Sequence, residues 1–306
     1  MEKKRLLIIG CGDVALRAVR LLRGRYRLYG LVRESEKAQA LRALGITPLV
    51  GDLDKPESLG RLAGIAELVL HTAPPPAEDV QDSRTANLLR MLTRGLLKNR
   101  RRMLPQRVAY ISTSGVYGNC AGELVPETRP VNPGSQRARL RVDAERRLRH
   151  WGKANRVSVA LLRAPGIYAA DRLPLQRIKT SLPVVQAEED GYTNHIHADD
   201  LARVALVALS HRGGWGRSYN VSDDSKLKMG DYFDLVADHF LLPRPPRISR
   251  ARAEQEIPAS RLSFLAESRR LSNTRLRKEL GIKLRYPTVA DFLNSAAAAS
   301  LGEQAR

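Results

Sequence analysis

Near the start of the chain stands the stretch Leu6-Leu7-Ile8-Ile9-Gly10-Cys11-Gly12-Asp13-Val14-Ala15, in which an apolar run leads directly into closely spaced small residues. The run predicts a buried strand, and the residues after it predict a sharp turn into a helix. In that arrangement Gly10 permits the tight turn, Gly12 lets the backbone approach a phosphate, and Ala15 lets strand and helix pack closely. Free amide groups at the helix start, from Asp13 onward, supply donors for an anion. The stretch therefore predicts a cradle for a dinucleotide pyrophosphate; a tight turn without a ligand is the alternative.

The end of the next apolar segment, residues 28–32, indicates which dinucleotide is bound. Arg33 follows this segment, about twenty residues after Gly10, where such units carry the residue that meets the adenosine ribose. An acidic residue there accepts hydrogen bonds from a free 2′-hydroxyl, whereas a guanidinium pairs with a 2′-phosphate. Arg33 thus favours NADP, with NAD as the other possibility; a solvated cation at a strand end is the interpretation without a ligand.

Length and composition agree with a large α/β protein. The chain has 306 residues, of which 43% are hydrophobic, enough for one large domain and a smaller lobe. No apolar stretch approaches the roughly 20 residues that span a bilayer, and no cleavable signal pattern is visible, so we expect a cytoplasmic protein without membrane contact. Cys11 and Cys120 have no metal-type spacing, so no metal site is predicted.

The formal net charge of +20 raises the question of a nucleic-acid partner. The densest basic runs, Lys98–Arg102 and Arg137–Arg149, lack interleaved aromatic residues that would stack on bases. We therefore interpret the charge as a solvated surface and predict no specific nucleic-acid binding.

After the first strand, glycine turn and helix, strand-like and helix-like patterns alternate at short intervals along the sequence. Strands are predicted at 46–50, 68–70, 108–111 and 157–162, and helices at 35–44, from 56, at 81–97, 135–151 and 230–241. The run Pro74-Pro75-Pro76 predicts a rigid loop after one of these strands. Such alternation is typical of a doubly wound, largely parallel sheet, whose ligands bind at the carboxyl edge.

Five motifs follow one another along this pattern: the glycine turn at 10–15, Gly51-Asp52-Leu53, Ser112-Thr113-Ser114-Gly115-Val116-Tyr117-Gly118, Arg163-Ala164-Pro165-Gly166-Ile167-Tyr168, and Asn194-His195-Ile196-His197-Ala198-Asp199-Asp200-Leu201-Ala202. In this order they resemble an extended short-chain dehydrogenase/reductase, and more narrowly the NAD(P)-dependent epimerase/dehydratase group. Later segments at 219–223 and 270–273 fit the same resemblance, which spans nearly the whole chain.

The resemblance implies an α/β fold with an N-terminal Rossmann domain, residues 1–165 completed by some later elements, and a smaller C-terminal substrate lobe, mainly residues 166–306. It places Asp52 and Leu53 near the adenine, Thr72 and Ala73 near the middle of the cofactor, and Pro165 near the nicotinamide. The predicted cofactor-binding residues are Gly10, Gly12, Asp13, Val14, Ala15, Arg33, Asp52, Leu53, Thr72, Ala73, Pro74 and Pro165.

The sequence departs from this group at the catalytic helix. The group carries a Tyr-x-x-x-Lys pair there, in which the tyrosine shuttles a proton and the lysine holds the ribose. Counting back from Glu145 gives Arg137 at the tyrosine position and Arg141 at the lysine position. A guanidinium cannot shuttle a proton near neutral pH, although Arg141 can donate hydrogen bonds to ribose hydroxyls. Thr113 does match the residue that hydrogen-bonds a substrate oxygen in the group.

Two functions are compatible with these residues. The first is an NADP-dependent oxidoreductase or epimerase/dehydratase-like enzyme for a small carbonyl or sugar-like substrate, with Thr113, Arg137 and Arg141 at the catalytic positions. The second is a nonenzymatic NAD(P)-binding redox sensor or partner-binding scaffold. Candidate proton carriers in the first case are Tyr117, Tyr168, Tyr192, His195 and His197. Both a monomer and a homodimer are compatible with the sequence.

Overall fold

The computed structural model describes residues 3–22, 24–94, 103–211, 213–256, 267–296 and 298. Of the two basic runs, Lys98–Arg102 lies outside these residues. The chain divides into two compact units built from interleaved segments. The first comprises Met1–Val116, Gln136–Arg163 and Leu201–Tyr219, and the second comprises Tyr117–Ser135, Ala164–Asp200 and Asn220–Arg306.

The strands, in chain order, are β1 Arg5–Ile9, β2 Arg27–Val32, β3 Ile46–Val50, β4 Leu68–His71, β5 Arg107–Thr113, β6 Leu124–Val125, β7 Ser158–Ala164, β8 Gly166–Tyr168, β9 Val184–Val185, β10 His195–His197, β11 Trp215–Asn220, β12 Arg247–Ile248 and β13 Arg270–Leu271. Seven of them form one sheet in the order β11-β7-β5-β4-β1-β2-β3. The strands from β5 to β3 pair in parallel, with Leu7 opposite Tyr29 on one side and Val69 on the other. The order reverses on either side of β1, as in a doubly wound fold.

The helices are α1 Asp13–Leu22, α2 Glu36–Ala43, α3 Ser83–Arg94, α4 Gln136–Asn155, α5 Leu175–Lys179, α6 Ala198–Ser210, α7 Met229–His239, α8 Arg250–Glu256, α9 Thr274–Leu280 and α10 Val289–Leu293. The helix predicted from residue 56 is a 3-10 helix, Pro56–Leu62. The internal Gly60 disfavours a regular α-helix here, since glycine weakens an α-helix interior. The alternation of strands and helices otherwise follows the predicted order, and the predicted α/β Rossmann fold is confirmed.

The core of the first unit is the sheet and the helix faces that cover it. Leu7 and Ile9 of β1, Val69 of β4 and Leu161 of β7 are fully buried. These central strands are apolar on both faces because helices cover both sides of a parallel sheet. Because β4, β1, β2 and β3 pair in parallel, their carboxyl ends lie side by side at one edge of the sheet.

The second unit has its own core around three short parallel strand pairs, β8–β10, β9–β12 and β6–β13. Tyr168, Tyr232 and Phe292 pack there with aliphatic residues of α7 and α10. Asp200 accepts hydrogen bonds from the backbone amides of Arg285 and Tyr286, at 2.8 and 2.9 Å, and so joins the start of α6 to the segment before α10.

Candidate functional site

A cavity of about 320 Å³ lies in the first unit where β1, β2, β3 and β4 end. Each of these strands is followed at once by residues of the cavity wall. The lining residues are Gly10, Cys11, Gly12, Leu31, Val32, Arg33, Lys37, Gly51, Asp52, Leu53, Thr72, Ala73, Pro74 and Arg84. The structure thus brings together eight predicted positions that are far apart in the sequence: Gly10, Gly12, Arg33, Asp52, Leu53, Thr72, Ala73 and Pro74.

The glycine turn between β1 and α1 is shaped by close contact with the loop after β4. Gly10 has φ +89°, and a Cβ placed on it would stand 2.6 Å from the backbone nitrogen of Ala73. Only glycine fits this position without displacing the loop. Thr72 donates a short hydrogen bond to the Gly10 carbonyl, and its amide donates to the carbonyl of Ile9 at 2.8 Å. These contacts hold the turn in one conformation.

Gly12, in contrast to the crowded Gly10, faces open space. No atom lies within 4 Å of the place where its Cβ would stand, and the residue is exposed at the start of α1. This open space beside helix amides has the form that a phosphate group requires. Asp13, Val14 and Ala15 form the first turn of α1 beyond the described cavity wall. The Asp13 carboxylate binds Arg17 at 2.9 Å, and Ala15 is buried, as expected of a residue that packs helix on strand.

Lys37 and Arg84 are the two charged wall residues that the sequence analysis missed. Arg33 and Lys37 are exposed, whereas Arg84 is half-buried. Lys37 is paired with Glu34 at 3.0 Å, and Arg84 with Asp54 at 2.7 Å.

Within the described part of the chain the Arg33 side chain makes no hydrogen bond or ion pair. Its guanidinium is therefore available to an anion at this end of the cavity.

A second group of polar side chains lies near the end of β5. Ser112 donates to Glu145 of α4 at 2.7 Å, and Arg163 of β7 donates to the same carboxylate at 2.7 and 3.1 Å. Glu145 is 1% exposed, and the ion pair with Arg163 holds its pKa below the usual range although burial opposes this. The half-buried Thr113 follows Ser112 directly, and its hydroxyl accepts from the Gly115 amide at 3.2 Å. The network fixes the strand end that carries Thr113.

The two arginines at the predicted catalytic positions of α4 have different surroundings. Arg137 is exposed, whereas Arg141 is buried. Arg141 Nη1 donates to the Tyr110 hydroxyl and the Ile111 carbonyl, each at 2.8 Å, and to the Ala73 carbonyl at 3.5 Å. Arg141 thus supports the cavity wall at Ala73 from beneath. Its contact with a ribose stays a prediction.

Beside Arg141, the last residue of β4 is also buried. Burial and the charge of Arg141 lower the pKa of His71 to about 3, and burial raises the pKa of Tyr110 to about 12. Both groups are neutral near pH 7, and both are at most 1% exposed. They contribute to packing and hydrogen bonding in this part of the unit.

Four of the remaining candidates for proton transfer are buried in the second unit. The Tyr117 hydroxyl donates to Asn220 Oδ1 at 2.8 Å, and that of Tyr168 to the Thr288 carbonyl at 3.3 Å. His197 Nδ1 accepts from the Asp199 amide at 3.2 Å and so orients the start of α6. The imidazole of His195 packs on the ring of Tyr232, with centroids 4.2 Å apart, and burial lowers its pKa to about 4.

Two further predicted positions also belong to the second unit. Pro165 stands there between β7 and β8. Tyr192 is half-buried, and the guanidinium of Arg270 lies 5.1 Å from the centre of its ring.

Among the residues that the structure describes, no cluster of histidine, cysteine or acidic side chains has the composition to hold a metal ion. No helix in that part of the chain is both long and apolar enough to cross a membrane.

The model of the NAD dependent epimerase/dehydratase family matches residues 15–222. No protein with a curated description matches the chain significantly.

Several solved structures share the fold along the whole chain. A functionally unknown conserved protein from Silicibacter pomeroyi DSS is 26% identical with a TM-score of 0.77, over 97% of this chain and 99% of that one. UDP-glucose 4-epimerase from Thermotoga maritima, solved with UDP-glucose, is 16% identical with a TM-score of 0.76, over 98% and 99%. UDP-glucuronic acid 4-epimerase from Bacillus cereus, solved with NAD, is 15% identical with a TM-score of 0.73, over 98% and 99%.

Proposed function

The chain belongs to the NAD dependent epimerase/dehydratase family, and on that premise we propose that it is an NADP-dependent enzyme for a small carbonyl or sugar-like substrate. The observation that carries the proposal is the cavity at the ends of β1 to β4, with open space at Gly12 and an unpaired guanidinium at Arg33. The first feature suits a pyrophosphate and the second a 2′-phosphate. NAD is the alternative cofactor, and the free thiols of Cys11 and Cys120 suit a reducing, cytoplasmic compartment.

In the proposed reaction, the residues of this chain bind and orient the cofactor and the substrate. The glycine turn holds the pyrophosphate, Arg33 holds the 2′-phosphate, and Thr113 donates a hydrogen bond to a substrate oxygen. A bound nicotinamide supplies hydride chemistry at the carbon that bears this oxygen. Glu145 keeps Thr113 in place through Ser112, and Arg141 supports the wall at Ala73.

One observation favours a second candidate function, a nonenzymatic NAD(P)-binding sensor or scaffold. The group at the tyrosine position is the exposed guanidinium of Arg137, which cannot transfer a proton near neutral pH. Arg141, at the lysine position, donates to Tyr110 and to backbone carbonyls. Dinucleotide binding is common to both candidates, and turnover separates them.

Titration calorimetry tests the binding part of the proposal. We expect the wild-type protein to bind NADP⁺ about tenfold or more tightly than NAD⁺, because one charge-assisted pair contributes about 1.5–3 kcal/mol. Arg33→Ala should remove this preference and leave NAD⁺ affinity unchanged. The matched control is Arg20→Ala, which removes an exposed arginine of α1 outside the cavity wall. Equal affinity for the two dinucleotides in the wild-type protein would overturn the assignment of Arg33.

Two assays together separate the two candidates: absorbance at 340 nm for net hydride transfer, and chromatography of the sugar nucleotides for redox-neutral epimerisation or dehydration. The wild-type protein and Thr113→Val are incubated with NADP⁺ or NADPH and a panel of alcohols, aldehydes, ketones and sugar nucleotides, UDP-glucose included. The enzyme proposal predicts turnover with a member of the panel and a large loss of kcat in Thr113→Val with NADP⁺ affinity unchanged. Tight NADP⁺ binding without turnover across the panel favours the sensor.

A further inference from the structure

Arg84, the second residue of α3, forms part of the cavity wall and makes four hydrogen bonds. Its Nε and Nη2 donate to the two carboxylate oxygens of Asp54 at 2.8 and 2.7 Å. Its Nη1 donates to the carbonyls of Pro74 and Pro75 at 3.2 and 3.3 Å. Asp54 belongs to the loop after β3, and the two prolines belong to the loop after β4. One side chain therefore joins two loops that are distant in sequence.

The proline run in the loop after β4 has few hydrogen bonds of its own. Pro74, Pro75 and Pro76 have no amide hydrogen, so this run cannot donate backbone hydrogen bonds. Its position depends on donors that reach its carbonyls from outside. On the other side, the Asp54 amide donates to Asp52 Oδ1 at 3.0 Å, so that the carboxylate bound by Arg84 is linked to a residue of the cavity wall.

Helix α3 contributes a second anchor one turn later. Asn87 is buried and donates from Nδ2 to the Leu53 carbonyl at 2.8 Å. Asn87 fixes the backbone of this loop at its buried side, and Arg84 fixes it at the cavity side. The contact surfaces of Leu53 and Pro74 in the cavity wall are thereby set by one helix.

Arg84 is held by more hydrogen bonds than the arginine of an ordinary surface ion pair. A lone exposed pair contributes little because it is screened and costs side-chain entropy. Here the pair with Asp54 is bidentate, and the Arg84 side chain is 19% exposed. A guanidinium has five N–H groups, and four of them are used in these bonds.

We propose that Arg84 is a positioning residue for the adenosine half of the dinucleotide. By joining Asp54 to Pro74 and Pro75, it sets the separation of the two loops that form the adenine side of the cavity. The inference rests on the proposed dinucleotide binding and adds a residue that the family resemblance did not assign. It predicts that the adenosine half of the ligand loses affinity when the bridge is broken.

The test uses calorimetry on the full chain with two probes, NADP⁺ and adenosine 2′,5′-bisphosphate, which carries only the adenosine half. The variants are Arg84→Gln, Asp54→Asn and the double variant. The matched control is Arg94→Gln, which removes an exposed arginine from the last turn of the same helix. Thermal unfolding without ligand reports whether each variant remains folded.

We expect Arg84→Gln to lower the affinity for both probes by a similar factor of about ten. Asp54→Asn should also lower the affinity for both probes. The double variant should bind little more weakly than Arg84→Gln, because both changes break the same bridge. Arg94→Gln should bind as the wild-type protein does. If Arg84→Gln unfolds, Arg84→Lys replaces it; it keeps one contact to Asp54 and should have intermediate affinity.

Two results would overturn the inference: an affinity of Arg84→Gln within twofold of wild type, or a loss seen with NADP⁺ and absent with the adenosine probe. The second result would place the effect elsewhere on the cofactor. Failure of the wild-type protein to bind either probe would instead refute the proposed function. Wild-type binding with unchanged Arg84→Gln affinity would refute this inference alone.

Discussion

The carboxyl group of Asp223 gives the second unit a testable pH dependence. Asp223 is 4% exposed, and its amide donates to the His195 carbonyl at 2.7 Å. Its Oδ1 accepts from the Ser225 amide at 3.0 Å, while its Oδ2 has no hydrogen-bond partner among the described residues. Burial raises the pKa of Asp223 from 3.8 to about 7, and the interactions with Ser225 and Tyr168 only partly oppose this. The folded protein therefore keeps this carboxyl protonated where an unfolded chain releases the proton.

The sign of the effect follows from proton binding. Below about pH 4 both states hold the proton, and above about pH 7 both have released it. Between these values the unfolded state binds fewer protons, so the contribution of Asp223 to stability falls as pH rises. Each pKa unit between the two states corresponds to about 1.4 kcal/mol, which gives a loss on the order of 4 kcal/mol across this range. The asparagine in Asp223→Asn has nearly the same shape and no charge, so the stability of this variant should not show this loss as pH rises.

The assay is denaturant unfolding of the wild-type protein and Asp223→Asn at pH 4, 5.5, 7 and 8.5. The variant should be about as stable as wild type at pH 4 and increasingly more stable up to about pH 7, with little further change at pH 8.5. Glu188→Gln is the control, because it removes an exposed carboxylate of the same unit and should show no such trend. A stability difference between Asp223→Asn and wild type that stays constant with pH would refute the reasoning.

Four other outcomes are expected from the same structure. Arg33→Asp should reverse the dinucleotide preference toward NAD⁺ by about tenfold or more in competition binding, because the carboxylate repels a 2′-phosphate and accepts from a 2′-hydroxyl. Glu145→Gln should lower the unfolding free energy by about 3 kcal/mol in denaturant titration, because it leaves the 3% exposed Arg163 without its anion. Gly10→Ala should abolish NADP⁺ binding in calorimetry, because its Cβ would displace Ala73. Fluorescence titration with DNA and RNA should show weak, sequence-independent binding that falls steeply with salt; tight binding to one sequence at physiological salt would contradict this.

The parts of the cavity that could be predicted are those that follow a strand directly. Gly10, Arg33, Asp52 and Thr72 each stand within two residues of a strand end. In a parallel sheet all these ends meet at one edge, so a one-dimensional pattern of apolar runs is enough to bring them together.

Lys37 and Arg84 could not be predicted in this way because both lie on helices. Which helical residue faces the cavity depends on how α2 and α3 pack on the sheet, and periodicity alone does not give that orientation. A weak signal for Arg84 existed in the proline run, whose carbonyls require donors from elsewhere in the chain.

Arg141 shows a further limit on what can be predicted from the sequence. A cationic residue in a basic helix predicts an exposed or ligand-facing side chain, yet the guanidinium is buried. The burial is possible because the Tyr110 hydroxyl and the Ile111 carbonyl accept its hydrogen bonds. Both acceptors come from β5, about thirty residues away in the sequence, and neither belongs to a recognisable motif.

We expect the cavity at the ends of β1 to β4 to hold NADP with its 2′-phosphate on Arg33. A crystal structure of the wild-type protein with NADP⁺ tests this most directly. We predict the pyrophosphate at the amides of the Gly10–Gly12 turn, the adenine between Leu53 and Pro74, and the 2′-phosphate within hydrogen-bonding distance of the Arg33 guanidinium. A dinucleotide bound outside this cavity, or bound within it with the 2′-phosphate in solvent away from Arg33, would contradict the claim.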